Sequence, residues 1–247
     1  MSLAAVKRTF EKLGREDPLY TVLSWKRRGH NRWDPEEFFQ TGRREIEGVL
    51  RYVDAWGLPF ARRRALDFGC GVGRLSQALA DHFEQVVGVD IAESMIERAC
   101  EYNRHGDRVR YLVNGTNRLD GLDDESFDFV YSTITLQHMP PEPAGGYIRE
   151  FFRVLRPGGI AVFQVPNGKT HKAGSLGAWL YGLRRRRLRP LWNAVRGRLP
   201  VEMHYIARAQ VQSLVEESGA RIVDVADVGR RPKRGKNLRY CTTKLGG

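Results

Sequence analysis

The sequence predicts an α/β fold built on a mainly parallel, seven-stranded sheet with helices on both faces. From residue 64 onward, short apolar runs of strand length alternate with segments of helical periodicity, the element order typical of parallel sheets. The first of these runs enters a glycine-rich turn that opens directly into a helix. Such a junction lets the backbone approach a ligand closely. The sequence therefore predicts one α/β domain with a site at the carboxyl ends of its strands.

Length and composition are consistent with this fold class. The chain has 247 residues, enough for one large α/β domain with an additional cap, and 41% of them are hydrophobic and 28% charged, as in soluble globular proteins. No apolar run approaches the roughly 18 to 20 residues that span a bilayer, and the N-terminus lacks the pattern of a secretory signal. We therefore expect a cytoplasmic protein.

Cysteine and histidine spacing gives no sign of a metal. The three cysteines, Cys70, Cys100 and Cys241, form no CxxC pair, and the six histidines form no HExxH motif. We expect neither a zinc site nor a disulfide framework.

The net charge of +12 is concentrated in three segments, around residues 26–28, 184–198 and 230–244. Clusters of this kind bind nucleic-acid phosphates, anionic lipid headgroups or a phosphorylated small molecule. The alternative is a solvated basic surface with no ligand.

An N-terminal helical extension is predicted over residues 1–63. Asp34, Pro35 and the acids Glu36 and Glu37 form a strong helix start, and apolar residues then recur at helical spacing to about Gly57.

The alternating region, 64–247, supplies the remaining elements. Strands are predicted at 65–68, 86–90, 109–113, 127–132, 160–165, 221–228 and 237–243. Helices are predicted at 75–83, 93–103, 143–155 and 208–218. A tight turn at Arg156–Gly159 leads into the fifth strand, and a basic hairpin joins the last two.

The alternation is interrupted at about 167–203, a stretch too long for an ordinary loop. It contains a Trp-Leu-Tyr cluster and a run of arginines. We interpret it as a lid inserted after the fifth strand, with Arg184 and Arg185 as candidate contacts for an anionic acceptor.

The glycine-rich turn has the spacing GxGxG, which alone is weak evidence and also suits a nicotinamide or flavin site or a structural turn. Three features refine it. Asp67 precedes the first glycine inside the strand, the spacing lacks the GxGxxG of a pyrophosphate site, and the second strand ends in Asp90. A carboxylate there can accept both ribose hydroxyls. The combination suits a ligand with a ribose, a cationic amino-acid arm and no phosphates.

These motifs resemble those of class I S-adenosylmethionine-dependent methyltransferases, in particular the small-molecule branch known as types 11 and 12. The resemblance covers about residues 64–165 and implies a Rossmann-like domain that binds S-adenosylmethionine. It implies that the glycine loop holds the methionine moiety, that Asp90 holds the ribose, and that Ile91 and Met95 lie near the adenine. The loop residues implied are Asp67, Gly69, Cys70, Gly71 and Gly73.

One departure from the family pattern concerns the adenine. Family members commonly carry an acid after the third strand, where this chain has Asn114, Gly115 and Thr116. Either polar side chain, or a backbone carbonyl, could accept the adenine amine instead. The stretch after the fourth strand resembles the segment that lies beside the methionine moiety, and it implies contacts from Ser132, Thr133 and Gln137.

Two histidines are candidate bases, because methyl transfer to oxygen needs a proton acceptor and histidine titrates near neutral pH. His138 follows the fourth strand, and His204 precedes the last helix. Each could instead be structural. Trp33, Phe39 and Tyr205 are candidate wall residues for the substrate, although aromatic residues at such spacing are more often core.

The function predicted is O-methylation of a small molecule such as a sugar, a glycolipid or a secondary metabolite. N- and C-methylation are less favoured, because the motifs of base-, cytosine- and arginine-methylating enzymes are missing. The acceptor is expected to be anionic or lipid-linked, with peripheral contact to the inner face of the membrane. The alternative is an RNA-binding methyltransferase or a non-catalytic RNA-binding protein.

Overall fold

The computed structural model describes residues 2–167, 201–229 and 236–246. Its centre is a seven-stranded sheet of order β3-β2-β1-β4-β5-β7-β6, in which β7 is antiparallel to both of its neighbours and the other pairs are parallel. This confirms the predicted fold class. The strands are β1 Arg64–Phe68, β2 Gln85–Asp90, β3 Val109–Val113, β4 Phe127–Ser132, β5 Leu155–Asn167, β6 Ala220–Asp227 and β7 Lys236–Lys244.

Helices precede the sheet and connect its strands. They are α1 Leu3–Glu16, α2 Pro18–Val22, α3 Pro35–Asp54, α4 Arg74–Leu79, α5 Glu93–Tyr102, α6 Pro141–Val154 and α7 Arg208–Glu217. The predicted start of α3 is confirmed, since the Asp34 side chain accepts the backbone N–H of Glu37 at 2.8 Å. No helix among the described residues is long and apolar enough to cross a membrane.

Two apolar cores cover the two faces of the sheet. Successive side chains of a strand point to opposite faces, and β1 shows the result: Leu66 and Phe68 belong to the core that contains Phe151 of α6, whereas Ala65 belongs to the core that contains Ile46 of α3. Burial on both faces explains why β1 and β4 are almost continuously buried. The helices thereby fix the sheet and leave its carboxyl edge available for a site.

A third apolar cluster packs the N-terminal helices against the sheet domain. Trp33, Phe38 and Phe39 are buried in it beside Val72 and Met95. The Trp33 indole donates to the backbone carbonyl of Leu23 at 3.0 Å. These three aromatic residues of the extension are therefore core residues.

Two predicted bounds in the alternating region differ from the structure by more than two residues. The helix predicted at 75–83 ends at Leu79. The turn predicted at Arg156–Gly159 is instead an irregularity within β5, where Gly158 has a φ of +76° and the register with β4 shifts. A bulge keeps the strand paired while it accommodates the extra residues, so the glycines mark a distortion rather than the strand's start.

The predicted lid, with Arg184 and Arg185, falls almost entirely on residues 168–200, outside the described ranges, and the basic hairpin falls largely on 230–235, also outside them. The division into an extension, 1–63, and a domain, 64–247, stays a prediction.

Candidate active site

A cavity opens at the carboxyl edge of the sheet, where parallel α/β sheets bind their ligands. Its empty volume is about 960 Å³, counted together with the open solvent at its mouth. Nine residues predicted from the sequence line it: Gly69, Cys70, Gly71, Asp90, Ile91, Met95, Asn114, Thr133 and His138. The fold thus brings the ends of four strands to one enclosure.

The glycine loop forms one wall of the cavity. The backbone N–H groups of Gly69 and Cys70 donate to the Val89 carbonyl at 2.8 and 3.0 Å, which ties the loop to β2. Gly71 has a φ of +53°, and a Cβ there would lie 2.7 Å from Cγ2 of Val22 on α2. Only glycine meets both requirements. Gly73 does not line the cavity; it is the N-cap of α4, with a φ of +81°.

Asp90 ends β2 and faces the cavity. Its carboxylate accepts the N–H of Gly71 at 2.9 Å and the N–H of Ala92 at 3.0 Å. A carboxylate has about four acceptor positions, so capacity for two hydroxyl donors remains. Burial raises the pKa of Asp90 above its ordinary value, although the N–H groups of Ala92 and Gly71 favour the charged form.

Asp67 lies behind the glycine loop and not on the cavity wall. It is 1% exposed, and its carboxylate accepts the Ser76 hydroxyl at 2.7 Å. Burial raises its pKa to about 7, against the opposing effects of the Ser76 hydrogen bond and the Arg74 charge. Asp67 therefore connects β1 to α4 through Ser76. The structure does not place it on the cavity wall, where it could contact a cofactor directly.

Of the three residues that replace the missing acid, only Asn114 lines the cavity. Its amide nitrogen lies 3.1 Å from the Tyr147 hydroxyl, to which it donates, and that hydroxyl donates to the Thr116 carbonyl. The Thr116 side chain is exposed and bonds to Arg118 and Asp120. Gly115 and Thr116 are therefore directed away, because the chain turns outward after β3.

His138 lines the cavity in a 3-10 turn after β4. Its Nδ1 lies 3.2 Å from the Glu202 carbonyl, and its Nε2 lies 3.1 Å from the Gln137 amide nitrogen. These contacts assign the proton to Nδ1 and leave Nε2 as an acceptor. Burial lowers the pKa of His138 below its ordinary value, and the nearby His204 lowers it further, against the opposing hydrogen bond to Glu202. The imidazole is therefore neutral at neutral pH, as a base must be.

His204 and Gln137 lie next to His138, on the side away from the cavity, and do not line it. The backbone N–H of His204 donates to the Gln137 carbonyl at 2.7 Å, and its ring nitrogen Nε2 lies 3.5 Å from a Glu202 carboxylate oxygen. This segment therefore supports the turn that carries His138.

Four further predicted site residues lie away from the cavity wall. The Ser132 hydroxyl is buried and donates to the Phe68 carbonyl at 3.1 Å. Trp33 and Phe39 are in the third apolar cluster, because their side chains face α2 and α5 rather than the cavity. Tyr205 precedes α7 and is half-buried.

The cavity has walls that the sequence reasoning did not identify. Leu3, Val6 and Phe10 of α1 line it, together with Thr21 and Val22 at the end of α2. Their spacing of three and four residues was a detectable signal of one apolar helix face. Arg74 also lines the cavity; it is 3% exposed and pairs with Glu45 at 2.8 Å.

Metal-ligand clusters of three or more acidic, histidine or cysteine residues are not found in the described parts of the chain.

Comparison with known proteins shows which proteins this chain resembles. Residues 66–163 match the family described as "Methyltransferase domain". A ubiquinone biosynthesis O-methyltransferase of Idiomarina loihiensis is 28% identical over 152 residues, which cover 61% of this chain and 59% of that protein. A 2-methyl-6-phytyl-1,4-hydroquinone methyltransferase of Synechocystis is 33% identical over 115 residues, covering 46% of this chain and 35% of that protein. The chain thus spans well under two thirds of these relatives' lengths.

Solved structures share the fold. Magnesium protoporphyrin IX methyltransferase from Synechocystis, with bound S-adenosylhomocysteine, has a TM-score of 0.62 at 18% identity and covers 98% of this chain and 99% of its own. A Burkholderia thailandensis 1,6-didemethyltoxoflavin-N1-methyltransferase has a TM-score of 0.62 at 20% identity, covering 98% and 89%.

The fold, the glycine loop and the acid after β2 define a Rossmann-like domain for an adenosine-containing cofactor. The match to a methyltransferase domain, together with the fold shared with structures that hold S-adenosylmethionine or S-adenosylhomocysteine, supports a class I S-adenosylmethionine-dependent methyltransferase. The residues present fit that cofactor: an unobstructed glycine wall, a carboxylate with free acceptor positions and an apolar enclosure meet in one cavity.

Proposed function

We propose that this protein transfers a methyl group from S-adenosylmethionine to an oxygen of a small molecule whose body is largely apolar. When bound, the cofactor supplies an activated methyl group, so the protein's contribution is alignment, exclusion of water and acceptance of a proton. The observation that carries the proposal is one cavity that joins the glycine loop and Asp90 to His138 and to apolar side chains of α1.

The residues have separate duties in this proposal. Gly69 and Gly71 give the methionine moiety close access to the backbone, Asp90 accepts the ribose hydroxyls, and Asn114 takes the place of the missing adenine acid. Leu3, Val6 and Phe10 exclude water above them. His138 accepts the acceptor's proton at Nε2 once the Gln137 amide releases that nitrogen.

An enclosed apolar cavity favours a small molecule over RNA, which would need an open basic surface. The apolar wall also supports a quinol-like or phenolic acceptor more than a free sugar. Relatives named as a ubiquinone biosynthesis O-methyltransferase and as a 2-methyl-6-phytyl-1,4-hydroquinone methyltransferase support this choice. An anionic or lipid-linked acceptor, contact with a membrane and the RNA-binding alternative stay predictions, because their basic clusters fall largely outside the described ranges.

The transfer itself is tested with the purified protein, S-adenosylmethionine and three probe acceptors: methylhydroquinone, a catechol and tRNA. We expect release of S-adenosylhomocysteine with a phenolic probe and none with tRNA. Turnover of tRNA alone would reverse the assignment.

The cofactor assignment is tested by Asp90→Ala. Loss of the ribose hydrogen bonds to a charged group is expected to weaken S-adenosylhomocysteine binding by about 1.5–3 kcal/mol, or about 10- to 150-fold in Kd. Isothermal titration calorimetry measures it. Asp227→Ala is a matched control. Asp227 also ends its strand, and its carboxylate also accepts the backbone N–H of the residue two positions later, Gly229, at 3.0 Å. Equal S-adenosylhomocysteine affinities of the two variants would contradict the assignment of the ribose to Asp90.

His138 gives a prediction that needs no acceptor. Nitrogen-detected NMR of the histidine rings is expected to show His138 with a pKa below the ordinary 6.5 and with its proton on Nδ1, because burial disfavours the cation. A pKa above 6.5 would contradict the expected effect of burial, and a proton on Nε2 would contradict the role of base. N-acetylhistidine titrated in the same buffer serves as the reference.

A further inference from the structure

The loop after β4 contains a residue in a conformation that its side chain disfavours. Ile134 has a φ of +59°. Positive φ is uncommon for any residue other than glycine, and for a β-branched residue it is a true outlier. The other non-glycine residues with positive φ in the described parts of the chain are Arg27, His30, Asn31 and Glu125, none of them β-branched.

Hydrogen bonds on both sides of Ile134 hold this conformation. The Thr133 hydroxyl donates to the Gln164 side chain on β5 at 2.7 Å, and the Thr135 hydroxyl donates to the Thr133 carbonyl at 3.0 Å. The Thr135 side chain also fills the space beside Gly69. A strained residue persists only where its surroundings determine it in this way, and such residues cluster at functional sites.

The strain places an apolar group at the cavity. The Ile134 side chain lines the same cavity as His138 and Gly69 and is nonetheless 42% exposed. Burial in the protein core therefore does not account for an isoleucine here, and asparagine or glycine would take the same backbone conformation more easily. A contact with a bound molecule does account for it.

We propose that Ile134 is a specificity-determining contact for the methyl acceptor, and that its side chain packs on the acceptor's apolar body beside His138. The inference rests on the proposed function, since it needs a cofactor-bound site with room for an acceptor. It adds the chemical class of the acceptor to that function: the acceptor has an apolar face next to the oxygen that is methylated. The strained backbone is the means by which the loop directs a β-branched side chain to that face.

The experiment uses three variants of the full chain. Ile134→Asn removes the apolar group and relieves the strain, whereas Ile134→Val keeps both. Glu125→Asn is the matched control, because it relieves a positive φ of +50° in a turn away from the cavity. It loses only the ion pair with Lys244, in which the Glu125 side chain is 53% exposed, and the Lys244 ammonium keeps its hydrogen bond to the Leu155 carbonyl.

Two binding measurements follow. Calorimetry measures S-adenosylhomocysteine affinity. Fluorescence of 8-anilinonaphthalene-1-sulfonate, an anionic dye whose aromatic rings fluoresce in apolar surroundings, measures occupancy of the acceptor region with S-adenosylhomocysteine saturating. We expect Ile134→Asn to weaken the dye by about 5- to 10-fold, through lost apolar contact, and to change S-adenosylhomocysteine affinity by less than about twofold. Ile134→Val and Glu125→Asn should match the unaltered protein within about twofold in both. Relief of strain should also raise the Tm of both asparagine variants by about 2–4 °C.

The possible failures are distinct. If the unaltered protein does not bind S-adenosylhomocysteine, the proposed function fails, and this inference fails with it. If it binds S-adenosylhomocysteine but not the dye, or if Ile134→Asn binds the dye as tightly as the unaltered protein, the cofactor assignment stands and Ile134 is no acceptor contact. A fall in S-adenosylhomocysteine affinity equal to that of the dye would assign Ile134 to the cofactor instead.

Discussion

Gly71→Val is expected to abolish S-adenosylhomocysteine binding, with a loss of about 3 kcal/mol or more, above 100-fold in Kd. A left-handed backbone costs a non-glycine residue about 1–3 kcal/mol, and overpacking costs a similar amount. Here the first added carbon would lie 2.7 Å from Val22, so the loop and α2 cannot keep their present contact. Any movement of the loop also displaces the Gly71 N–H, which donates to Asp90 at 2.9 Å. Calorimetry with S-adenosylhomocysteine measures the loss.

Gly106→Val is the control that separates the effect of backbone strain on stability from the effect of Gly71→Val on the cofactor site. Gly106 has a nearly equal φ, +55°, and a Cβ there would meet nothing within 4 Å. This control should lose stability through backbone strain and keep its cofactor affinity. Circular dichroism on both variants checks that they fold. Normal binding by folded Gly71→Val would make the loop a structural turn and remove the main support for the cofactor site.

The centre of the sheet could be predicted from the sequence because β1, β2 and β4 are buried along almost their whole length. The bounds of β3 and β4 agree with the prediction to the residue, since each is a short run rich in aromatic and branched apolar residues. The start of β5 was wrong for a physical reason. Arg156–Gly159 has the composition of a turn, but a bulge uses the same glycine conformations while the strand stays paired. Composition does not distinguish the two.

The part of the cavity wall formed by the glycine loop and Asp90 could also be predicted, since both lie at fixed points of strand–turn–helix units. The acceptor side could not. Trp33 and Phe39, the aromatic residues predicted to line it, are buried in the third apolar cluster. Apolar residues of α1 line the cavity instead. A single amphipathic helix gives no sign of what its apolar face covers. Here Glu11 settles the position, because its carbonyl accepts the Ser94 hydroxyl at 3.0 Å and thereby fixes α1 to the start of α5. That contact joins residues far apart in the chain, and no local pattern encodes it.

Asp67→Asn is expected to make the protein more stable at pH 8, because the buried carboxyl has a pKa of about 7 in the folded protein and about 3.8 in the unfolded chain. A raised pKa means that the folded state binds the proton more tightly. Between these two values the free energy of unfolding therefore falls as pH rises, by up to about 1.4 kcal/mol per pH unit, and the loss is complete above pH 7. Asparagine carries no charge at any pH and keeps an oxygen for the Ser76 hydroxyl, which lies 2.7 Å from the present carboxylate.

The measurement is urea unfolding at pH 5 and at pH 7 to 8, where the stability gained by Asp67→Asn over the unaltered protein should widen by about 2–3 kcal/mol. Asp128→Asn is the control of opposite sign. Asp128 is 4% exposed, but its carboxylate accepts the backbone N–H groups of Arg63 and Arg64 and pairs with Arg156 at 2.8 Å, so removal of its charge should cost stability. A difference between Asp67→Asn and the unaltered protein that stays constant from pH 5 to 8 would mean that Asp67 is already ionised across that range. In that case Arg74, whose charge lowers the Asp67 pKa, would outweigh burial.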